Sequence, residues 1–241
     1  TPRFAITSTP AQMEAAETLA REHPDLHIQT HVSENLAEIA YANELYPNYG
    51  DYVGIYEKYH LLGPKTLLGH CIHLSPRETG ALADSGSVAV FCPTSNLFIG
   101  SGLFDYDRLH QHGVRIGVAT DVGGGTSYSM LRTLDEGYKV LQLRGQRLNP
   151  LRSFYHMTLG NARAVSLDNR IGSIAPGHDA DLVVLDARAT PQMALRMETV
   201  DSLVNELFLL QTCGDDRAVV ETYVAGKARK SELGTVSYRT G

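Results

Sequence analysis

The sequence predicts an α/β fold built around a parallel β-sheet. Short apolar runs alternate with amphipathic helical patterns over the first 145 residues, which is typical of repeated strand–helix units. Three of these runs end in an ionisable residue, namely His31, His70 and Asp121. Because ligands bind beyond the carboxyl ends of parallel strands, these three side chains are expected to share one rim of the sheet.

Five strand–helix units follow one another along the chain. A closed (β/α)8 barrel needs eight strands. The units therefore fit either an open five-stranded sheet or about five of the eight βα units of a barrel, with about three strands missing before Thr1. The predicted strands are RFAIT (3–7), LHIQTH (26–31), TLLGH (66–70), SVAVFC (87–92) and RIGVATD (115–121), and the helices that follow them are expected at 11–22, 34–46, 76–86, 105–112 and 127–144.

The pattern changes after residue 145. NPLRSFYHMTLGNARAV predicts one or two helices, and GSIAPGHDADLVVLD places turn residues around an apolar strand. Residues 218–230, AVVETYVAGKARK, predict a hairpin that turns at Ala225-Gly226. Together these segments indicate a small β element appended to the strand–helix units.

Composition narrows the function classes. The chain has 241 residues, of which 43% are hydrophobic and 20% charged, as is ordinary for a globular protein. A net charge of −6 without a Lys/Arg-rich run argues against a nucleic-acid partner, and no apolar stretch is long enough to span a membrane. The first residues do not resemble a signal peptide, and three scattered cysteines predict no disulfide framework. A cytoplasmic location is therefore expected.

The residues at the strand ends suggest a metal site. Imidazole nitrogens and carboxylate oxygens are good ligands for a divalent metal such as zinc, which has about three protein ligands in catalytic sites. Glu34 lies three residues after His31, where it could move protons at the rim. Simpler interpretations stay open: a histidine at a strand end is often only a hydrogen-bonding residue, Glu34 could support a helix cap beside Ser33, and Asp121 could begin a turn.

Two loops and one histidine pair need separate interpretation. The glycine-rich loop DVGGGTSYS (121–129) could bind phosphate, but it has no lysine, and its glycines more often let the backbone approach a ligand or metal. PTSNLFIGSGLF (93–104) is long for a strand–helix connection and is predicted to be a wall or lid of the site. The HQH sequence at 110–112 ends a helix and is predicted to lie at the surface.

Several motifs together resemble the amidohydrolase superfamily of metal-dependent hydrolases. HVSEN, LLGHC, FCPTSNLFIGSGLF and ATDVGGGTSYSML occur in the family's order, and NARAVSLDNRIGSIAPGHDADLVVLD resembles its return into a β domain. The resemblance covers nearly the whole chain and implies a TIM-type (β/α)8 barrel. It assigns residues 1–165 to the carboxyl-terminal portion of the catalytic barrel. Residues 166–241 would form the carboxyl-terminal part of the small β domain, with a returning helix.

The resemblance also implies roles for the residues at the rim. His31 and Asp121 would bind one zinc ion or another divalent metal, and Asp121 would also be a base for the attacking water. His70 would orient the nucleophile or polarise the base. Glu34 would pass a proton to the substrate ring.

Within the superfamily, the most particular features resemble the guanine deaminases. These features are the Arg3-Phe4 pair and the TDVGGGTSYSML loop. The resemblance implies that Arg3 and Phe4 hold a purine, with His31 and Glu34 also facing it. It implies hydrolytic deamination of guanine to xanthine and ammonia in purine catabolism or salvage, and by analogy a homodimer.

One departure from the family pattern leaves alternatives open. The HxH motif of the family's first strand, which supplies two zinc ligands, is absent, so a missing amino-terminal segment is expected to carry it. The alternatives are another amidohydrolase acting on an amino- or halo-substituted heterocycle and a non-catalytic fragment that needs the missing amino-terminal half or pairs with another chain. A phosphate-binding α/β protein that uses Gly123 to Gly125 is also possible.

Overall fold

A computed structural model describes residues 1–230 of the chain. The chain divides into two compact units, one formed by Thr1–Tyr128 and Glu136–Arg147 and the other by Ser129–Asp135 and the residues from Leu148 onward. The expected family boundary between residues 165 and 166 stays a prediction, and residues 231–241 of the expected β domain lie outside the described residues.

A four-stranded parallel sheet organises the first unit, with strand order β1-β2-β3-β4. The two later strands are mostly buried and apolar, whereas β1 and β2 also bury the polar side chains of Thr30, Thr66 and His70. The register pairs Val32 with His70 at the carboxyl ends of β1 and β2. The strands are β1 (Ile28–Val32), β2 (Thr66–His70), β3 (Val88–Phe91) and β4 (Arg115–Val118).

Helices precede, connect and follow these strands along the chain, and side-chain caps fix where several of them begin. Thr9, Asn35 and Ser75 each form a capping box with a Gln or Glu three residues later. None of the helices in the described part of the chain is long and apolar enough to cross a membrane. The helices are α1 (Pro10–Glu22), α2 (Leu36–Leu45), α3 (Tyr52–Lys58), α4 (Pro76–Ser85), α5 (Pro93–Ile99), α6 (Tyr106–Gln111) and α7 (Met130–Leu143).

The prediction of a strand at 3–7 is wrong. Phe4 is extended, but a short 3-10 helix follows at Ala5–Thr7. The hydroxyl of Ser8 donates to the Phe4 carbonyl at 2.7 Å, and the Ser8 N–H donates to the Ala5 carbonyl at 3.1 Å. These local hydrogen bonds turn the chain before it can continue as a strand.

The segment at 93–104 is also more regular than predicted, since it begins with helix α5. Pro93 stands at the first helical position, where its missing N–H costs nothing. Gly100 ends the helix with a left-handed backbone (φ 77°). The helix is short, and its apolar pattern is correspondingly weak in the sequence.

The second unit combines further helices with a three-stranded antiparallel sheet in the order β5-β6-β7. Its core contains Leu131, Met193 and Leu209. The predicted hairpin is confirmed, with Ala225 and Gly226 at its turn, both at positive φ. The elements are α8 (Pro150–Tyr155), a π-helical turn (His156–Gly160), α9 (Asn161–Ala164), β5 (Leu182–Leu185), α10 (Pro191–Met197), α11 (Leu203–Cys213), β6 (Val219–Val224) and β7 (Lys227–Ala228).

Candidate active site

The carboxyl ends of the parallel strands bring the predicted metal and acid–base residues together. The imidazole rings of His31 in β1 and His70 at the end of β2 stack, with centroids 5.3 Å apart. Nε2 of His70 lies 3.9 Å from Oδ2 of Asp121, which follows β4. A Cβ at Gly69 would lie 3.3 Å from Cδ2 of His31, so this glycine leaves room for the imidazole ring.

The same rim concentrates backbone strain. Ser33, His70, Cys71 and Asp121 are non-glycine residues with left-handed φ angles of 51°, 72°, 52° and 49°. Such residues cost about 1–3 kcal/mol each and cluster at functional sites. The strain supports a functional interpretation of these strand ends rather than that of ordinary turns.

Glu34 is buried beside His70. Its side chain places Oε2 at 3.6 Å from Nε2 of His70, and its Oε1 accepts a 2.7 Å hydrogen bond from the Ser101 hydroxyl. The simpler interpretation of Glu34 as part of a helix cap is wrong. Asn35 caps α2, and Glu38 completes the capping box.

His70 is the most enclosed member of the group, with 2% of its side chain exposed. Burial lowers the pKa of its imidazole, and the neighbouring carboxylates of Glu34 and Asp121 only partly oppose that effect. Nδ1 of His70 lies 2.8 Å from the side-chain nitrogen of Asn96. His70 is therefore set up as a neutral, hydrogen-bonding imidazole.

The Arg3-Phe4 pair lies against His31. The Phe4 and His31 ring centroids are 4.5 Å apart, and the guanidinium carbon of Arg3 is 5.0 Å from the Phe4 ring centroid. The Tyr56 hydroxyl accepts from the Ala5 N–H at 3.0 Å and donates to the His31 carbonyl at 2.7 Å. This buried tyrosine thereby holds the amino-terminal segment on β1.

The donor set fits a divalent metal. Nδ1 of His31 donates to the Arg3 carbonyl at 2.7 Å, which leaves the Nε2 lone pair for a metal, and Asp121 offers a partly exposed carboxylate. Ligand atoms of His70, Cys92 and Asp121 also lie within 4.8 Å of one another. Metal ligation requires a thiolate, whereas burial and the Asp121 carboxylate raise the pKa of Cys92 to about 12. We therefore favour His31 and Asp121 as metal residues over Cys92.

Sequence reasoning did not single out Cys92, Asn96 or Ser101, although Asn96 and Ser101 lie in the segment 93–104 that was predicted to be a wall or lid of the site. All three belong to the segment that follows β3, and their position at the end of a strand is a signal that the sequence offers. Since His70 and Asp121 were found by looking at strand ends, the same rule applied to β3 would have pointed to Cys92 and the residues after it.

The remaining sequence motifs have local explanations. His110 and His112 are exposed at the end of α6, as predicted. A Cβ at Gly124 would lie 2.7 Å from the Ser95 hydroxyl and 3.3 Å from Oδ2 of Asp121. The glycine-rich loop thus passes closely beside a proposed metal ligand, whose negative charge disfavours phosphate there.

Comparison with known proteins identifies the family of the chain. Residues 1–229 match the Amidohydrolase family. The chain belongs to the amidohydrolase family. This amidohydrolase is 47% identical over 227 residues to the guanine deaminase of Escherichia coli (strain K12), a match that covers 94% of the chain and 52% of that protein.

Solved structures agree in fold. The structure of E. coli guanine deaminase matches with a TM-score of 0.94 and 46% identity, covering 95% of this chain and 54% of that one. Guanine deaminase from C. acetobutylicum, with guanine bound in its active site, matches with a TM-score of 0.85 and 28% identity. The match covers 95% of this chain and 54% of that one. The predicted fold class, part of a (β/α)8 hydrolase barrel, is confirmed.

The amidohydrolase chain spans about half the length of the curated relatives it matches. The activity, substrate and partners of those whole proteins are therefore proposals for this chain. The expected homodimer, the cytoplasmic location and the role of each site residue stay predictions.

Proposed function

We propose that this amidohydrolase supplies one part of a metal-dependent guanine deaminase, which converts guanine and water to xanthine and ammonia. The observation that carries the proposal is the 47% identity to E. coli guanine deaminase over 94% of the chain. The cluster of His31, Glu34, His70 and Asp121 at one rim supports it, because hydrolysis at a ring carbon needs a metal site and an acid–base group close together.

Arg3 and Phe4 are suited to holding a neutral purine. The exposed guanidinium of Arg3 offers several N–H donors to ring and carbonyl acceptors of guanine. Phe4 offers an aromatic surface for a planar ring. Because Phe4 contacts His31, a purine held by this pair would lie beside the proposed metal ligand.

The acid–base work is assigned to three side chains. When bound, a divalent metal such as zinc lowers the pKa of water and so makes hydrolysis possible at neutral pH. Asp121 accepts a proton from the water that attacks C2 of guanine, and Glu34 delivers a proton to the ring nitrogen next to C2. The exocyclic C2–N bond then breaks as the proton on Asp121 passes to the amino group, which leaves as ammonia, and the proton of the new C2 hydroxyl returns to Glu34 as the xanthine carbonyl forms. His70 lies between the two carboxylates, 3.6 Å from Glu34 and 3.9 Å from Asp121, and orients them.

A chimera tests the proposal. This chain would replace the matching 52% of the E. coli guanine deaminase, which supplies the remaining segments. With zinc present, we expect ammonia release from guanine and none from adenine. A folded, zinc-containing chimera that releases no ammonia from guanine would contradict the proposal, and release from adenine would overturn the role of Arg3 and Phe4. The same assay on the 241-residue chain alone shows whether it is sufficient.

A further inference from the structure

We infer that Asn96 and Ser101 are positioning residues that fix the hydrogen-bonding states of His70 and Glu34. We call residues 96–101 the positioning segment. A catalytic role for this segment rests on the proposed function. Its effect on the hydrogen bonding of His70 and Glu34 does not. The segment contacts both proposed acid–base residues, of which Glu34 follows β1 and His70 ends β2.

Asn96 stabilises the tautomer of His70 that carries its proton on Nε2. Nε2 of His70 faces two carboxylates, Glu34 at 3.6 Å and Asp121 at 3.9 Å, so the ring proton is favoured on Nε2. Nδ1 then has a lone pair and needs a donor. The side-chain nitrogen of Asn96, 2.8 Å away and buried, is that donor.

Ser101 selects between the two oxygens of Glu34. Its hydroxyl donates to Oε1 at 2.7 Å. Ser101 and Glu34 are both buried, at 5% and 7% exposed, so water competes little for this hydrogen bond. Oε2 is left as the oxygen that faces His70 and is available for proton transfer.

The positioning segment holds its two ends at a fixed separation. The Ser101 N–H donates to the Asn96 carbonyl at 2.9 Å, which closes the turn after α5. Gly100 makes that turn with its left-handed backbone. Nε2 of His73 donates to the Ser101 carbonyl at 2.9 Å and ties the far end to the residues after β2.

Two consequences follow. With its proton on Nε2, His70 cannot use that nitrogen as a metal ligand and instead presents an N–H to the carboxylates of Glu34 and Asp121, 3.6 and 3.9 Å away. With Oε1 occupied by Ser101, Glu34 exchanges protons through one defined oxygen. The segment therefore separates the metal-binding role of His31 from the hydrogen-bonding role of His70.

Nitrogen-15 NMR of the histidine rings in the 241-residue chain tests the Asn96 part without any activity assay. The His70 signals are assigned as those lost in His70→Gln, and spectra are recorded at a pH where the ring is neutral. We expect the Nε2–H form in the wild type and the Nδ1–H form in Asn96→Asp, because a carboxylate can only accept from Nδ1. An Nδ1–H form in the wild type, or an unchanged spectrum in Asn96→Asp, overturns the inference.

Ser95→Ala is the matched control for that experiment. Ser95 lies in the same helix and is fully buried, and its hydroxyl has no hydrogen-bond partner among the described residues. Removing it breaks none of the hydrogen bonds of the positioning segment. We expect the His70 signals of Ser95→Ala to match those of the wild type, and a tautomer change there would show that any perturbation of α5 suffices.

Steady-state kinetics of the chimera test the Ser101 part. We expect Ser101→Ala to lower kcat about tenfold, as for the loss of one charge-assisted hydrogen bond, with KM and zinc content nearly unchanged. Ser101→Thr keeps the hydroxyl and is expected to restore kcat. An equal fall in kcat in Ser101→Ala and Ser101→Thr, or a change in KM alone, would contradict the role of Ser101. An inactive chimera would instead contradict the proposed function, while the NMR result would still stand.

Discussion

His31 donates a hydrogen bond from Nδ1 to the carbonyl oxygen of Arg3, over 2.7 Å. A carbonyl oxygen can only accept, so the ring proton lies on Nδ1 and the Nε2 lone pair is available to a metal. The Arg3 carbonyl thus holds the ring of His31 in the orientation that a metal-binding imidazole commonly takes from an outer partner. Arg3, one residue of the proposed purine-holding pair, thereby also supports the proposed metal ligand.

His31→Ala should weaken zinc binding. Loss of a direct ligand is expected to lower zinc affinity of the chimera by more than about tenfold, since even loss of an outer partner costs that much. Competition with a chromophoric chelator measures the affinity. His110→Ala, which removes an exposed histidine on α6, should leave it unchanged. Undiminished affinity in His31→Ala would exclude His31 as a ligand.

Glu34→Gln should separate metal binding from turnover. The amide keeps the size of the side chain but cannot exchange the proton, so kcat of the chimera is expected to fall by about 10²–10⁴. Zinc content, measured on the same samples, should stay as in the wild type. Glu44→Gln, at an exposed position near the end of α2, should keep full kcat. Loss of zinc together with activity would indicate that Glu34 has a structural role.

Gly124→Ala should disturb the site through Asp121. The added Cβ would meet the Ser95 hydroxyl at 2.7 Å and Oδ2 of Asp121 at 3.3 Å, so one of them must move. We expect zinc affinity to fall about tenfold. Combining it with Ser95→Gly opens space on the other side and should recover most of that loss. If zinc affinity stayed low in the double variant Gly124→Ala/Ser95→Gly, displacement of the backbone rather than of Asp121 would account for the loss.

Gly80→Ala is the matched control for that substitution. Gly80 lies in α4, and its added Cβ would meet nothing within 4 Å. Zinc affinity should be unchanged, while the free energy of unfolding should rise by about 0.5–1 kcal/mol from higher helix propensity.

Asp105→Asn should lower stability at neutral pH but not in acid. Burial would raise the pKa of Asp105, yet hydrogen bonds from Gln146 and the Arg108 N–H, with the charges of Arg144 and Arg108, outweigh it and lower the pKa. This stabilisation is therefore present above the ordinary pKa of 3.8 and is lost as the pH falls further, through the lowered value.

Urea unfolding at pH 7 and near pH 3 measures that difference. We expect Asp105→Asn to lower the free energy of unfolding by about 1–2 kcal/mol at pH 7 and by less near pH 3. Asp25→Asn, which changes an exposed carboxylate, should have little effect at either pH. If Asp105→Asn lowered the free energy of unfolding equally at pH 7 and near pH 3, the charge of Asp105 would not account for its contribution to stability.

Tyr56→Phe should loosen the amino-terminal segment. The variant removes the hydroxyl that bridges the Ala5 N–H and the His31 carbonyl and leaves both buried groups without that partner. The free energy of unfolding is expected to fall by about 1–3 kcal/mol. Tyr41→Phe, at a residue that is 48% exposed, should cost little. Hydrogen exchange at Ala5 offers a local readout, and unchanged protection there would contradict the bridging role.

The parallel sheet and its rim could be predicted because their signals are local. TLLGH and RIGVATD are β-rich segments of strand length with apolar centres, and each ends in an ionisable residue at a defined edge. The same reasoning failed for RFAIT, whose β-rich composition looks like a strand. The Ser8 hydroxyl, four residues after Phe4, turns the chain instead.

The contacts of Asn96 and Ser101 could not be predicted because they are not local. Asn96 reaches His70 across 26 residues of sequence, and Ser101 reaches Glu34 across 67. No period or spacing encodes such pairs, since they arise only when separate strands lie side by side. Helix α3 was missed for a different reason: its Tyr-rich and Gly-containing sequence, YVGIYEK, has low intrinsic helix propensity.

The positioning segment also limits how this region can change over evolutionary time. Asn96 lies in α5 and Ser101 directly follows its C-cap Gly100, while their partners lie at the ends of two strands of the sheet. Inserting or deleting a single residue between them would rotate one side chain away while the other stayed in place. Point substitutions can adjust either contact alone, whereas a change of length would break the pair together, so the number of residues between Asn96 and Ser101 should vary far less among descendants of this sequence than their chemistry.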